Sequence, residues 1–262
     1  MSREKWWYFK WLMLFFYVAM VGINGLANAL PLNGVGTGEV SDSFPNLFTP
    51  SGITFAIWGL IYTLLLGYVT YHFFIHEDDL ANKEKDLLRL GSYFVFSSVI
   101  NMLWIFAWHY GFIVWSTVLM LVFLVLLVLA RFTIVRMPLR GRERLLILLP
   151  FSIYFGWVTV ATIASVTATL VYLGWGAWGM SESLWTVIIL LVGVFVGGIT
   201  MLNFRDGAYG LVFLWAYAGI LLKHVSASGW AGQYPDVITA VSLSLGAFFF
   251  LEVYLAKKAL SR

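Results

Sequence analysis

Polar and apolar positions in this chain neither alternate at a period of two nor trace a single apolar stripe at a period of 3.6. They fall into long blocks. Eight stretches, at about 11–30, 51–74, 91–109, 112–135, 145–173, 184–203, 208–223 and 236–256, are apolar on every face. Each comes near the roughly 18 residues that carry a helix across a hydrocarbon core of about 30 Å. A helix satisfies its own backbone polar groups in lipid, whereas a β-barrel needs short segments of alternating polarity, which are not seen here. The pattern predicts an all-α, polytopic membrane protein of about eight transmembrane helices.

The short polar breaks supply an orientation. Arg3, Lys5 and Lys10 precede the first stretch, Lys83, Lys85 and Arg89 follow the second, and Arg131, Arg136, Arg140, Arg142 and Arg144 follow the fourth. Arg205 follows the sixth, and Lys257, Lys258 and Arg262 follow the eighth. Loops retained in the cytoplasm keep such cations, so both termini are expected there. The opposite connections, 31–50, 174–183 and 224–235, hold no lysine or arginine, and of the 16 cations only Lys223 breaks the alternation.

Composition agrees, since 61% hydrophobic residues against 11% charged ones exceed what a soluble globule of 262 residues can hide. The net charge of +3 reads as a topology signal and not as a nucleic-acid footprint. With no cysteine, disulfides and thiolate chemistry are excluded. The basic start, the apolar run and Ala27-Asn28-Ala29 imitate a secretory signal, but we read an uncleaved first span. The glycine- and proline-rich segment 31–52, with Gly34, Gly36, Gly38 and Pro31, Pro45, Pro50, is expected to be an ordered outer loop that serves as a lid. HEDDLANKEKDLLRL, beginning at His76, reads as a cytoplasmic surface helix or as an extension of a span. Small residues four apart, such as Gly193 and Gly197, read as helix-packing positions.

Candidate chemistry concentrates in aromatic and amide residues. Trp58 and Tyr62 lie one turn apart on the second span, Trp104 and Trp108 one turn apart on the third, and Trp157 lies within the fifth. Aromatic faces on neighbouring helices form a slot for a planar guest, and Asn101, an intramembrane amide, would orient it. Plain packing between helices is the competing reading for these tryptophans, and an interhelical hydrogen bond is the competing reading for Asn101. Trp6, Trp7, Trp11, Trp175, Trp178 and Trp230 read as an interfacial belt. Glu252 lies within the eighth span and is read as snorkelling toward Lys257 and Lys258, with proton coupling as the alternative. Arg205-Asp206 reads as a local salt bridge, and His109 as an interfacial histidine. His72 and His76, four apart and followed by Glu77, Asp78 and Asp79, read as a polar helix end, since no third ligand set accompanies them. Neither a phosphate loop nor a hydrolase signature is present, so no catalytic residue, metal or cofactor is implied.

Three stretches resemble, in order, motifs of the translocator protein family (TspO, tryptophan-rich sensory protein). In PNLFTPSGITFAIWGLIYTLLLG, Pro45, Thr49, Pro50, Gly52, Phe55, Trp58 and Tyr62 occupy the places of that family's second-helix signature, with Leu47 or Phe48 where a tryptophan is usual. Asn101-Met102-Leu103-Trp104 is similar to its Asn-x-x-Trp. Leu149-Pro150-Phe151 with Trp157-Val158-Thr159-Val160-Ala161 is similar to its Leu-Pro-Tyr and Trp-Val-x-Phe-Ala, and Ala164 stands in place of its asparagine. The resemblance covers about 10–175 and implies a TspO-like five-helix core over 1–175, with a three-helix extension over 176–262. It further implies binding, transport or sensing of a hydrophobic planar ligand, a tetrapyrrole or a sterol, at Trp58, Tyr62, Asn101, Trp104, Trp108 and Trp157. The competing functions are a secondary transporter of a small solute that uses the last helices and Glu252, and a non-catalytic membrane partner subunit. Lipid is the surrounding partner, nucleic acid is excluded, and the surface is compatible with a homodimer. In a prokaryote the expected site is the plasma membrane.

Overall fold

The computed structural model describes residues 3–30, 32–75 and 77–261, and the side chains of Arg3 and residues 77–82 are outside that description. Its helices are α1 (Arg3–Ala29), α2 (Thr37–Asp42), α3 (Ile57–Phe74), α4 (Glu77–His109), α5 (Ile113–Arg136), α6 (Leu149–Tyr172), α7 (Glu182–Phe204), α8 (Gly207–Val225) and α9 (Pro235–Leu260). All but the short α2 are long and apolar enough to cross a membrane, which makes this a multi-pass helical membrane protein with eight candidate spans. Among the described residues no strand is present.

Local chemistry fixes the breaks. Gly111, at φ 76°, makes the tight turn between α4 and α5, where the Phe112 N–H returns to the Ala107 carbonyl at 2.9 Å. Ser181 and Asp206 cap α7 and α8, accepting from the N–H groups of Leu184 at 3.2 Å and Tyr209 at 3.1 Å. Pro235 opens α9, where its missing N–H costs nothing. The mixed-charge segment after α3 proves to be a helical extension, since α4 runs unbroken from Glu77 while its membrane-spanning part begins at Lys83. A π-helical turn at Arg144–Leu148 leads into α6.

The chain forms two compact units, one of residues 1–37 and 58–155, the other of residues 38–57 and 156–262. In the first, α4 packs against α1 and α5. In the second, α9 packs against α7 and α8, and the helical turn at Gly52–Ala56 packs against α8. The second half of α6 joins the last helices because Gly156 lets it approach α8 closely, and a Cβ there would lie 2.9 Å from the Tyr209 carbonyl oxygen and from the Val212 Cβ.

The outer segment is held and does not hang free. Within the second unit, the Ser51 N–H donates to Gly219 O at 3.0 Å, the Trp215 indole N–H to Thr54 O at 2.9 Å, and the His224 Nε2–H to Leu47 O at 2.8 Å. Lys223 pairs with Asp42. Gly219 receives Thr54 so tightly that a Cβ would stand 2.0 Å from its Oγ1. Residues 38–57 are thus fastened to α8 by backbone, indole and imidazole bonds. This is the ordered outer segment that its glycines and prolines predict.

Gly193 of α7 likewise faces the Tyr217 hydroxyl, 2.1 Å from where a Cβ would sit, and that hydroxyl donates to Leu190 O at 2.8 Å. Gly193→Ala must displace the phenol and break this bond, so it should destabilise the protein by about 1–3 kcal/mol. Gly22→Ala has nothing within 4 Å to meet and should be neutral or slightly stabilising. Thermal unfolding of both variants in detergent checks the contrast.

Candidate functional site

The first unit places a hydrogen-bonded amide pair beneath a run of aromatic rings. Asn24 of α1 donates from Nδ2 to Asn101 Oδ1 of α4 at 2.6 Å and to its own helix at Met20 O at 2.9 Å. Asn101 is fully buried. The hydroxyls of Tyr62 on α3 and Tyr154 on α6 lie beside its amide. Tyr154 donates to the Met20 sulfur at 3.8 Å, whereas Tyr62 does not reach hydrogen-bond geometry with the amide.

Above the amides the rings form a shelf. Trp58 stacks on Tyr62 with centroids 5.5 Å apart and planes 21° apart, and meets Trp104 at 5.9 Å and 32°. Trp104 continues to Trp108 at 6.4 Å and 20°, while Tyr154 stands edge-on to Trp58 at 6.1 Å and 75°. The one-turn spacings on α3 and α4 therefore do bring two aromatic faces together. Trp104 and Asn101 are buried, and Trp58 and Tyr62 are half-buried.

Within this cluster three polar atoms are buried without a hydrogen-bond partner: Tyr62 Oη, Asn101 Nδ2 and Trp104 Nε1. Orphaned donors are costly in an apolar interior, and their concentration beside one aromatic face marks a place suited to a guest with a polar acceptor. None of these side chains carries a charge, so the cluster is polar but uncharged.

At the other end of the shelf, residues 32–37 tie down the end of α4. The Trp108 indole N–H donates to Thr37 O at 3.1 Å. His109 Nδ1 lies 3.1 Å from Leu32 O, and its Nε2 lies 3.1 Å from Thr37 Oγ1. Asn33 donates to His109 O at 3.1 Å. His109 is accordingly buried by these partners at the last residue of its span.

Of the six sequence-derived site residues, Trp58, Tyr62, Asn101, Trp104 and Trp108 meet in the first unit. Trp157 belongs to the second unit, where its buried ring packs edge-on against Phe55 at 5.9 Å and 86°. Asn24 and Tyr154 were not read from the sequence. The only trace of Asn24 was an amide inside an apolar run, with Asn28 one turn on.

Other readings change as well. His72 is buried, with Nδ1 2.9 Å from Tyr68 O and its ring edge-on to Tyr68 at 4.7 Å. His76 lies outside the described residues, as do the side chains of Glu77, Asp78 and Asp79. The Glu252 carboxylate lies against α8, where Cβ atoms at Gly207 and Gly210 would come within 2.7 Å and 2.3 Å of its oxygens. Asp206 acts as the cap of α8.

Fold and site together define a multi-pass helical membrane protein with an uncharged, aromatic-walled polar cluster between its helices. The chain belongs to the TSPO-like family, whose model, described as TSPO-like protein, matches residues 10–254. The match extends past residue 175, where the motif resemblance stops, and takes in α7, α8 and most of α9. No curated protein and no solved structure matches the chain.

The amide pair should be worth about 1–2 kcal/mol, because Asn24→Leu leaves the Asn101 carbonyl without its donor. Asn28→Leu, at an exposed amide that bonds only its own helix at Asn24 O, should change stability by less than about 0.5 kcal/mol. Parallel thermal denaturation in detergent checks this, and equal effects would contradict the assignment.

Proposed function

We propose that this protein binds a hydrophobic planar molecule, of the tetrapyrrole or sterol class, against the Trp58–Trp104 shelf, and that it carries or senses that molecule without transforming it. The observation that supports the reading is the set of unpartnered donors, Tyr62 Oη, Asn101 Nδ2 and Trp104 Nε1, among the stacked pairs Trp58–Tyr62 and Trp104–Trp108. A flat polycyclic guest matches the ring planes through stacking, and a carbonyl or carboxylate on its edge takes the donors. Membership of the TSPO-like family is in keeping with a ligand-binding membrane protein. Trp108, whose indole is engaged at Thr37, acts as the wall at one end of the shelf.

The clustering of cations at alternate helix ends supports an orientation with both termini in the cytoplasm, and for a prokaryotic source the proposed location is the plasma membrane. Lys223, which departs from the alternation, is paired with Asp42 and so carries its own counter-charge.

Fluorescence and thermal-shift titrations of the detergent-purified protein against porphyrins, haem and sterols test the reading. Saturable binding by at least one of them is expected. Trp58→Ala with Asn101→Leu should weaken it by about tenfold or more, the loss of roughly one stacking contact and one hydrogen bond. Affinity unchanged in that double variant would remove the site.

A further inference from the structure

A second feature of the first unit lies away from the aromatic shelf. The end of α3, Lys83 on α4 and the turn before α6 line an open-mouthed cavity of about 620 Å³. Its walls divide by chemistry. Gly67, Phe74, Ile75 and Leu146 make an apolar side, and Lys83, Arg140 and Arg142 make a cationic side with one carboxylate, Glu143. The apolar side is close-built, since a Cβ on Gly67 would stand 3.2 Å from the Leu146 Cδ2.

Glu143 is already engaged. Lys83 pairs with its Oε1, Tyr71 donates to the same oxygen at 2.9 Å, and the Arg140 backbone N–H donates to Oε2 at 3.1 Å. Burial pushes this carboxyl upward, but the three donors outweigh it and hold the group below its ordinary 4.5, so it is charged at neutral pH. Glu143 therefore neutralises Lys83 and fixes the turn. The side chains of Arg140 and Arg142, both exposed, give the cavity its excess positive charge.

The position of this cavity is distinctive. The spans of α3, α4 and α5 end or begin at Phe74, Lys83 and Arg136, and the next span starts at Arg144, so the cationic side stands where helices leave the membrane. Guanidinium forks match the oxygens of a phosphate, and the exposed Phe74 continues the apolar side outward along α3. A volume of about 620 Å³ falls within the range that holds a headgroup-sized ligand.

We propose that this cavity binds the phosphate of an anionic amphiphile, with Arg140 and Arg142 on the phosphate and Gly67, Phe74 and Leu146 along the start of its hydrocarbon chain. A membrane phospholipid is the source that fits both walls. A soluble phosphate would use the cationic wall alone.

Thermal-shift titrations in neutral detergent separate these sources, with phosphatidylglycerol, phosphatidylcholine and inorganic phosphate as probes. The proposal expects saturable stabilisation by phosphatidylglycerol, weakened by salt, with no effect of phosphatidylcholine or of inorganic phosphate. Arg140→Gln with Arg142→Gln should weaken phosphatidylglycerol at least about tenfold, whereas Lys257→Gln with Lys258→Gln, at exposed cations of α9, should leave it unchanged. Saturable stabilisation by inorganic phosphate, lost in the arginine variant, would keep the phosphate site and assign it to a soluble ligand. Equal stabilisation by both phospholipids, an arginine variant that binds as wild type, or an equal loss in the lysine variant would overturn the proposal.

Discussion

The hydrogen bond between Asn24 and Asn101 is the contact on which the first unit's polar interior depends. In lipid the hydrophobic effect does not draw helices together, because the surrounding chains are as apolar as leucine; side-chain packing and a few polar bonds must do so. Here an amide on α1 meets an amide on α4 at 2.6 Å, and both are buried. That bond engages the Asn101 carbonyl and leaves its NH2 without a partner near Tyr62, so the residue proposed to meet a ligand is also the one that joins two helices. Tyr17 adds a tie between α1 and α3 through the Tyr62 carbonyl at 2.9 Å.

The second unit rests on close approach rather than on amides. Gly156, Gly193, Gly197 and Gly219 each stand where a Cβ would press on a neighbouring helix or loop within 3 Å. Removal of side chains at these points brings backbones together and lets Tyr217, Phe213 and Phe248 pack between them, with ring centroids 5.0–6.3 Å apart. One product of this packing is a fastened segment 38–57, and that segment carries Pro45, Thr49, Pro50 and Phe55 of the family motif. The last helices thus have a structural task within the family fold, consistent with a family match that runs to residue 254.

The spans were legible because lipid imposes length and uniform polarity on them, and their positions agree with the helices to within a few residues except at three ends, one being the start of α3, which a 3-10 turn at Gly52–Ala56 precedes. α1 begins earlier because the aromatic-rich start, with Trp6 and Trp7, continues the helix, and α4 begins earlier because its charged extension remains helical. The pairs Trp58/Tyr62 and Trp104/Trp108 were legible through the helical repeat, which puts residues four apart on one face. Which faces meet is a tertiary matter. A lone amide in an apolar run, Asn24, carries no mark of its partner 77 positions away. The same holds for the anchoring of Leu47 by His224 and for the approach of Glu252 to two glycines on α8.

The most direct test of recognition at the amide-centred shelf follows the indole N–H resonances of 15N-labelled protein while a binding porphyrin or sterol is added. The Trp104 indole, buried and without an acceptor, should shift strongly as it gains one, while that of Trp215, bonded to Thr54 O at 2.9 Å, should stay in place. A Trp104 resonance that does not move while the ligand saturates the protein would contradict the assignment of the shelf as the binding site.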